Sequence, residues 1–247
     1  IAVDCDAQAL ERAQRRLTEF RPHAEFIHDN FRHLPEILRR LGVTGLHGLI
    51  ADLGLSSLHV EQAERGFSFV REGPLDMRMD QRTATSAASL IQRLSEQELA
   101  TLLSRYGEER WARRIAKRIV TVRKTQPIQT TTQLARVVAE AVPHRGASRR
   151  LHPATRTFQA LRIAVNEELA SLEALLEALP DVLLPQGRAV IITFHSLEDR
   201  LVKHAFQRYA KTGMFRILTK KPVCPSPHEV AENPRSRSAK LRAAERR

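Results

Sequence analysis

The first fifty residues alternate short apolar runs with segments of helical spacing, and no other feature of the chain restricts its fold as strongly. The runs 1–3, 24–28 and 46–51 predict short strands. Helices are predicted between them, one with Asp6 as its N-cap and one over 35–41. Strands that alternate with helices favour a parallel sheet, so the sequence predicts an α/β fold.

Polar residues follow every predicted strand, including a fourth, fully buried strand predicted over 188–194. They are Asp4, then Asp29 and Asn30, which the aromatic Phe31 follows, then Asp52, and finally His195. Because ligands bind outside the carboxyl ends of strands in open α/β sheets, they are candidate site residues. An acid at such a position typically accepts hydrogen bonds from a ribose, which is the role expected for Asp4. Phe31 has two interpretations, an adenine contact or an ordinary core residue.

Residues 53–80 predict a long functional loop, because Gly, Ser and charged residues are frequent there. Apolar and charged residues alternate at its end, which predicts an extended segment with Asp76, Arg78 and Asp80 on one side. A surface strand with outward charges explains the same alternation.

Helical signals replace strand signals over 84–142, where Ser95 and Glu98 have the spacing of a capping box. A basic helix face in this region is either solvated or an RNA contact; its residues are Arg110, Arg113, Arg114 and Lys117. One long helix is predicted from Pro153 to the residue before Pro180. The predicted domains are the first part of an α/β domain at 1–82, an inserted helical domain at 83–151, the second part of the α/β domain at 152–220, and a basic C-terminal tail at 221–247.

The formal net charge of the chain is +12, and most of it lies near the end. Residues 203–247 contain 12 Lys and Arg against 3 Asp and Glu. Such an asymmetry favours a polyanionic partner. Arginines outnumber lysines 33 to 7, which suits bidentate phosphate contacts, but a GC-rich genome produces the same bias without any functional reason.

The two cysteines, Cys5 and Cys224, have neither a disulfide-framework nor a zinc-site spacing, which is typical of a reducing compartment. No apolar run approaches the roughly 18 residues of a membrane span, and a cytoplasmic protein is expected. The chain has no Gly-x-Ser-x-Gly nucleophile motif. A metal site built from Asp52, Asp76, Asp80 and His195 has no specific spacing, so no metal is predicted.

Seven motifs along the chain resemble one family in content and order. They are 52–57 (DLGLSS), 64–69 (ERGFSF), 73–80 (GPLDMRMD), 107–109 (GEE), 152–160 (HPATRTFQA), 194–200 (FHSLEDR) and 233–238 (NPRSRS). The family is MraW, the ribosomal RNA small subunit methyltransferases. The resemblance runs from Asp4 to Arg242. It implies a Rossmann-like methyltransferase sheet with an inserted helical domain.

The resemblance implies that the enzyme transfers a methyl group from S-adenosylmethionine to the exocyclic N4 of a cytosine in the decoding region of small-subunit ribosomal RNA. The expected substrate is that RNA within the assembled subunit. By resemblance the cofactor contacts are Asp4, for the ribose, and Phe31, Asp52 and His59. The last departs from the family pattern, since His59 stands where glutamine is expected.

Asp52 is the first candidate for the group that accepts a hydrogen bond from the amine, and His195 is a second candidate, as proton acceptor. The target base must leave its stack to reach them. The expected RNA contacts are Arg78, Arg156, Arg162, Arg235, Arg237, Lys240 and Arg242, since arginine and lysine suit phosphate oxygens. A disordered solubilising end is the alternative interpretation of the last four.

The family's Gly-rich loop and the strand before it are expected to be missing, since residues 1–3 match the end of the family's second strand. The absent strand would lie between the second and fourth strands and leave both edges unpaired. Two other functions remain open: a non-enzymatic RNA-binding protein of the same fold, and a nicotinamide-dependent oxidoreductase suggested by Asp4 alone.

Overall fold

The computed structural model describes residues 1–143 and 152–247, apart from the side chain of Arg21. Its strands are β1 (Ala2–Asp4), β2 (Phe26–His28), β3 (Leu46–Asp52), β4 (Leu183–Thr193), β5 (Phe215–Ile217) and β6 (Lys240–Arg246). Its helices are α1 (Ala7–Arg16), α2 (Leu34–Arg40), α3 (Ser57–Glu61), α4 (Ala87–Arg93), α5 (Glu96–Gly107), α6 (Ala112–Arg123), α7 (Thr131–Ala141), α8 (Thr155–Val165), α9 (Glu168–Val182), α10 (Ser196–Lys211) and α11 (Pro227–Glu232).

The chain forms two compact units. The first comprises Ile1–Asp4, Pro22–Gly54 and Glu168–Arg247. The second comprises Cys5–Arg21 and the described part of Leu55–Glu167. Their limits differ from the predicted domains, since the second unit begins before the predicted insert and includes α8.

The first unit contains the strands and confirms the mixed α/β expectation. Its strands form a parallel pair, β1 and β2, and a four-stranded sheet in the order β3-β4-β6-β5. β3 and β4 are parallel, whereas β6 is antiparallel to both of its neighbours. In the described part of the chain, β1 pairs only with β2 and β3 pairs only with β4, so one edge of each strand is unpaired.

Apolar residues of α9, β4 and α10 build the main core of this unit. Leu176 and Leu179 of α9 pack in one buried cluster with Ile191 of β4 and Phe206 of α10. The Tyr209 hydroxyl donates a 2.9 Å hydrogen bond to the Leu176 carbonyl and ties α10 to α9. The continuous apolar run of β4 is thus explained by burial, since Ala189 and Ile191 are fully enclosed.

The second unit is built around α4 to α8 and confirms a helical insert. Its buried cluster includes Ile91, Leu103, Ile119, Leu134 and Phe158, with one residue from each of these helices. The predicted capping box is present, because Ser95 Oγ accepts from Glu98 N–H and the Glu98 carboxylate accepts from Ser95 N–H.

The predicted single helix over 153–179 is wrong, because it is two helices separated at Asn166 and Glu167. Glu167 has a φ of 48°, outside the helical region. The Asn166 amide donates to the carbonyls of Met77 and Arg162, and its oxygen accepts from Met79 N–H. These bonds, two of which join Asn166 to residues distant in sequence, replace the helical pattern. Pro180, predicted to follow the helix, lies within α9.

The segment 75–80 is not the predicted extended strand. Met77 has a φ of 64°, and Arg78 N–H donates to the Asp76 carboxylate across a turn. The alternation nevertheless corresponds to burial, since Leu75 and Met77 are buried. The alternation is therefore explained by burial of Leu75 and Met77 and not by an extended backbone.

The segment 221–247 is not a tail. It contains α11 and β6, and β6 lies between β4 and β5 in the sheet. Ala243 and Ala244 of β6 are buried in the core. No helix in the described ranges is both long and apolar enough to cross a membrane.

Candidate active site

Asp52 ends β3 beside β4, where it is in register with Ile192. Gly54 follows with a φ of 95°, a left-handed conformation that favours glycine and turns the chain away from the sheet. Desolvation raises the pKa of the Asp52 carboxyl. Within the described chain that carboxyl has no hydrogen-bond or ion-pair partner. It therefore remains able to accept a hydrogen bond from a ligand.

The ends of β1 and β2 present Asp4 and the run Asp29, Asn30 and Phe31. The Asp4 carbonyl accepts from Asp29 N–H at 3.1 Å, which continues the parallel pairing. Burial acts to raise the pKa of the Asp29 carboxyl, but hydrogen bonds from His33 and Asn30 N–H hold it below its usual value. Asn30 caps the next turn and donates to Ser171 Oγ at 3.2 Å.

Phe31 is half-buried rather than enclosed. Its ring packs in one apolar cluster with Leu49 and Ala51 of β3, the strand that ends at Asp52. Both interpretations of Phe31 are therefore compatible with its position.

His195 lies between β4 and α10, with 10% of its side chain exposed. Its Nε2 is 3.1 Å from Oε1 of Glu198, whose side chain is 3% exposed. Both ring nitrogens are buried and make no hydrogen bond to any described residue. This burial argues against the predicted role of His195 as a proton acceptor in contact with a substrate.

His195 and Glu198 together form the cap at the start of α10. His195 occupies the N-cap, and the Glu198 carboxylate accepts from the backbone N–H groups of Phe194 and His195 at 2.9 and 3.3 Å. The carboxylate of Glu168, at the start of α9, completes a group with His195 and Glu198. One ligand atom from each lies within 4.8 Å of the others, so these three residues could hold a metal ion.

His59 lies in the second unit, where it is buried in a charged cluster. Its Nδ1 accepts from Ser56 N–H, so Nε2 carries the proton and donates to the Asp6 carboxylate. Arg65 donates to the same carboxylate at 3.0 Å. Both ring nitrogens of His59 are thus engaged within the protein, and Asp6, predicted only as an N-cap, has a second function.

Arg65 is positioned by the turn that follows it. Gly66 has a φ of 74°, and a Cβ there would lie 2.2 Å from the Pro74 carbonyl oxygen. Arg65 also donates to the carbonyls of Arg78 and Met79. Only glycine permits the close approach that brings these carbonyls to the guanidinium.

The expected RNA contacts fall into two groups. Arg156, Arg235 and Arg237 are exposed, and Arg162 is half-buried. The second group pairs with carboxylates in the same unit: Arg78 binds Asp76, and both Lys240 and Arg242 bind Asp199. The pairing of Arg242 with Asp199 joins β6 to α10, so this arginine has a structural role that a basic tail did not suggest.

Three functional or structural residues were missed from the sequence, namely Glu168, Glu198 and Asp199. The three-residue spacing of His195 and Glu198 was the available sequence signal for Glu198. Neither unit brings together the four residues that were considered for a metal site, which are Asp52, Asp76, Asp80 and His195. Asp76 and Asp80 instead each bind a neighbouring arginine, Arg78 and Arg82.

The MraW methylase family model matches residues 1–247. The chain belongs to the MraW methylase family. It is 49% identical over 261 residues to the ribosomal RNA small subunit methyltransferase H of Geobacter sulfurreducens, covering 100% of this chain and 84% of that protein. It is 50% identical over 246 residues to the enzyme of the same name from Trichormus variabilis, covering 100% and 77%. The predicted resemblance is confirmed.

The strand ends of this MraW member fit the methyl donor of the family, S-adenosylmethionine. Asp4 supplies a carboxylate of the type that accepts hydrogen bonds from ribose hydroxyls. Phe31 supplies a partly exposed aromatic surface for adenine, and Asp52 a carboxylate with no internal partner. Both ring nitrogens of His59, the fourth expected contact, are already bonded within the protein.

Proposed function

We propose that this chain transfers a methyl group from S-adenosylmethionine to the exocyclic N4 of a cytosine in the decoding region of small-subunit ribosomal RNA. Family membership supports the reaction class. The observation that carries the proposal at the site is Asp52, a partly desolvated carboxyl at the end of a parallel strand with no partner in the described chain. The substrate is the assembled small subunit, and the location is the cytoplasm.

Asp52 accepts a hydrogen bond from the cytosine amine and holds its nitrogen towards the methyl group. This help is needed because the nitrogen lone pair is delocalised into the ring, so the amine must be oriented for in-line attack. S-adenosylmethionine, when bound, would supply the methyl group on its sulfonium and leave as S-adenosylhomocysteine, and the methylated amine would lose one proton to solvent. Asp4 and Phe31 hold its ribose and adenine.

Neither His195 nor His59 contacts the base in this proposal. His195 does not contact the base, because both of its ring nitrogens are buried. His59 helps to hold α3 in place, because its ring nitrogens bind Ser56 and Asp6. Arg156, Arg162, Arg235 and Arg237 contact phosphates of the RNA around the target base.

The test incubates the chain with labelled S-adenosylmethionine and small subunits from a bacterial strain that lacks the modification, followed by mass spectrometry of the nucleosides. N4-methylcytidine is the expected product. Cofactor binding without any methylated nucleoside would contradict the proposal. Salt-dependent RNA binding without cofactor binding would identify a non-enzymatic RNA-binding protein instead.

We also propose that one further parallel strand lies between β1 and β3 in the complete sheet and carries the Gly-rich loop of the family. The unpaired edges of these two strands support it, as does Ile50 of β3, a residue that is 78% exposed although it belongs to an apolar strand. A chain extended by upstream residues should then bind S-adenosylmethionine at least ten times more tightly than this chain. Equal affinities would contradict the additional strand.

A further inference from the structure

We propose that Glu168, His195 and Glu198 form a binding site for a divalent transition-metal ion, of the chemical class of Zn²⁺ or Mn²⁺. The three residues come from the start of α9, the turn after β4 and the first turn of α10. All belong to the first unit. The inference rests on the geometry of these three side chains and not on the proposed function.

The positions of the three ligand atoms suit a metal ion. No two of them are more than 4.8 Å apart, and His195 Nε2 lies 3.1 Å from Glu198 Oε1. Some point therefore lies within about 2.8 Å of all three, and movements of less than about 1 Å would give metal–ligand distances of roughly 2.0–2.2 Å. Side-chain rotation alone supplies movements of that size.

The imidazole of His195 provides an independent indication of a ligand. A side chain with nine-tenths of its surface buried normally has its polar atoms hydrogen-bonded. Both nitrogens of His195 lack such a bond, and Nε2 faces a carboxylate oxygen. Coordination of a cation by Nε2 would satisfy this nitrogen.

The Glu198 carboxylate is held in an orientation suited to coordination. Oε2 accepts from the backbone N–H groups of Phe194 and His195. Oε1 is thereby directed at the imidazole. Hydrogen bonds of this kind, made to the ligand rather than to the ion, are what normally orient the carboxylates of metal sites.

The mixture of donors determines the class of ion. Ca²⁺ and Mg²⁺ prefer sites built entirely from oxygen. One imidazole and two carboxylates instead match Zn²⁺ or Mn²⁺, which accept nitrogen and oxygen ligands together. Such an ion would link α9 to the turn between β4 and α10, close in the sheet to the strand that ends at Asp52.

The test measures Zn²⁺ binding by the untagged full chain after removal of metals, using equilibrium dialysis and elemental analysis. One bound equivalent is expected. Glu168→Gln and His195→Asn should each lower the affinity at least tenfold, whereas the matched variants Glu173→Gln on α9 and His204→Asn on α10, both at exposed positions, should not change it. Repeating the experiment with Mn²⁺ in place of Zn²⁺, read by electron paramagnetic resonance, identifies the preferred ion.

Thermal unfolding supplies a second readout that is independent of methyl transfer. A saturating ion should raise the Tm of the wild-type chain and of both matched variants, because it binds only the folded state. The shift should be absent in Glu168→Gln and His195→Asn, while circular dichroism confirms that these variants are folded. Less than one equivalent of either ion, or binding that the two ligand variants do not weaken, would overturn the site.

Discussion

The two units each bury a histidine against a carboxylate, and the two histidines differ in how completely they are hydrogen-bonded. In the second unit His59 bonds through both ring nitrogens, to Ser56 and Asp6, and Arg65 adds a positive charge to the same carboxylate. In the first unit His195 lies beside Glu198 and Glu168 without a hydrogen bond from either nitrogen to a described residue. Both nitrogens of the His59 ring are therefore bonded within the protein, whereas the His195 ring can still bind a ligand.

This difference predicts which property, stability or function, a mutation in each cluster will change. A buried charged group with all its partners is strongly destabilised by the loss of one of them, since the remaining charge stays buried. A buried polar group without a partner lowers stability and is typical of binding or catalytic sites. Changes at the His59 cluster should therefore affect unfolding, whereas changes near the ends of β3 and β4 should affect activity and binding.

The largest effect is expected from Asp6→Asn. Asparagine still caps α1, but it removes the charge that faces Arg65, whose side chain is 6% exposed. An uncompensated buried guanidinium should lower the free energy of unfolding by about 3–5 kcal/mol. Urea unfolding followed by circular dichroism measures this loss.

The control is Glu11→Gln on the same helix. Glu11 pairs with Arg15 at the surface, where both side chains are more than half exposed, so its removal should change the free energy by less than about 1 kcal/mol. Equal losses of unfolding free energy for the two variants would mean that the buried ion pair of Asp6 stabilises the fold no more than the surface pair of Glu11.

The next effect concerns the end of β3 and should appear in activity alone. Asp52→Ala removes the proposed hydrogen-bond acceptor, and kcat should fall roughly 100-fold, equivalent to about 2.7 kcal/mol. Because desolvation raises the pKa of this carboxyl, ionised Asp52 disfavours the folded state at neutral pH, and the free energy of unfolding should not decrease. Single-turnover methylation together with urea unfolding checks both statements.

The control is Asp181→Ala, at an exposed position of α9, which should leave both kcat and the free energy of unfolding unchanged. Wild-type kcat in the Asp52→Ala enzyme would show that Asp52 takes no part in the reaction.

A third prediction uses pH to isolate the His59 cluster. Burial acts to raise the pKa of Asp6, but hydrogen bonds from His59 and Gln8 N–H and the charge of Arg65 lower it to about 2, against an unperturbed 3.8. The folded pKa is lowered, so the stabilisation is present above pH 4 and is lost as the pH falls towards 2. It amounts to about 2 kcal/mol.

The stability difference between wild type and Asp6→Asn should accordingly shrink by that amount between pH 5 and pH 2. Urea midpoints across this interval provide the measurement. A difference that stays constant would show that Asp6 titrates normally.

Much of the fold was predictable, because β1 to β4 and the helical insert have periodic or continuous apolar patterns. The errors came from contacts between residues distant in sequence. The division of α8 from α9 depends on bonds from Asn166 to Met77 and Met79, which no local pattern contains. Within the site, Asp52 and His195 were recognisable at strand ends, but Glu168 was not, since a lone helical glutamate looks like any solvated one.

The smallest effect distinguishes two arginines of the last segment that the sequence could not tell apart. Arg237 is exposed, whereas the Arg242 side chain is 10% exposed and binds Asp199 at 2.7 Å. Arg237→Ala should weaken RNA binding a few-fold and reduce the slope of log affinity against log salt by roughly 0.7–0.9, one phosphate contact, without changing stability. Arg242→Ala should lower the free energy of unfolding and leave Asp199 without its closer partner. Binding titrations at several salt concentrations, paired with urea unfolding, measure both variants. If Arg242→Ala reduced the salt slope as Arg237→Ala does while keeping wild-type stability, β6 would be a nucleic-acid contact rather than a strand anchored to α10.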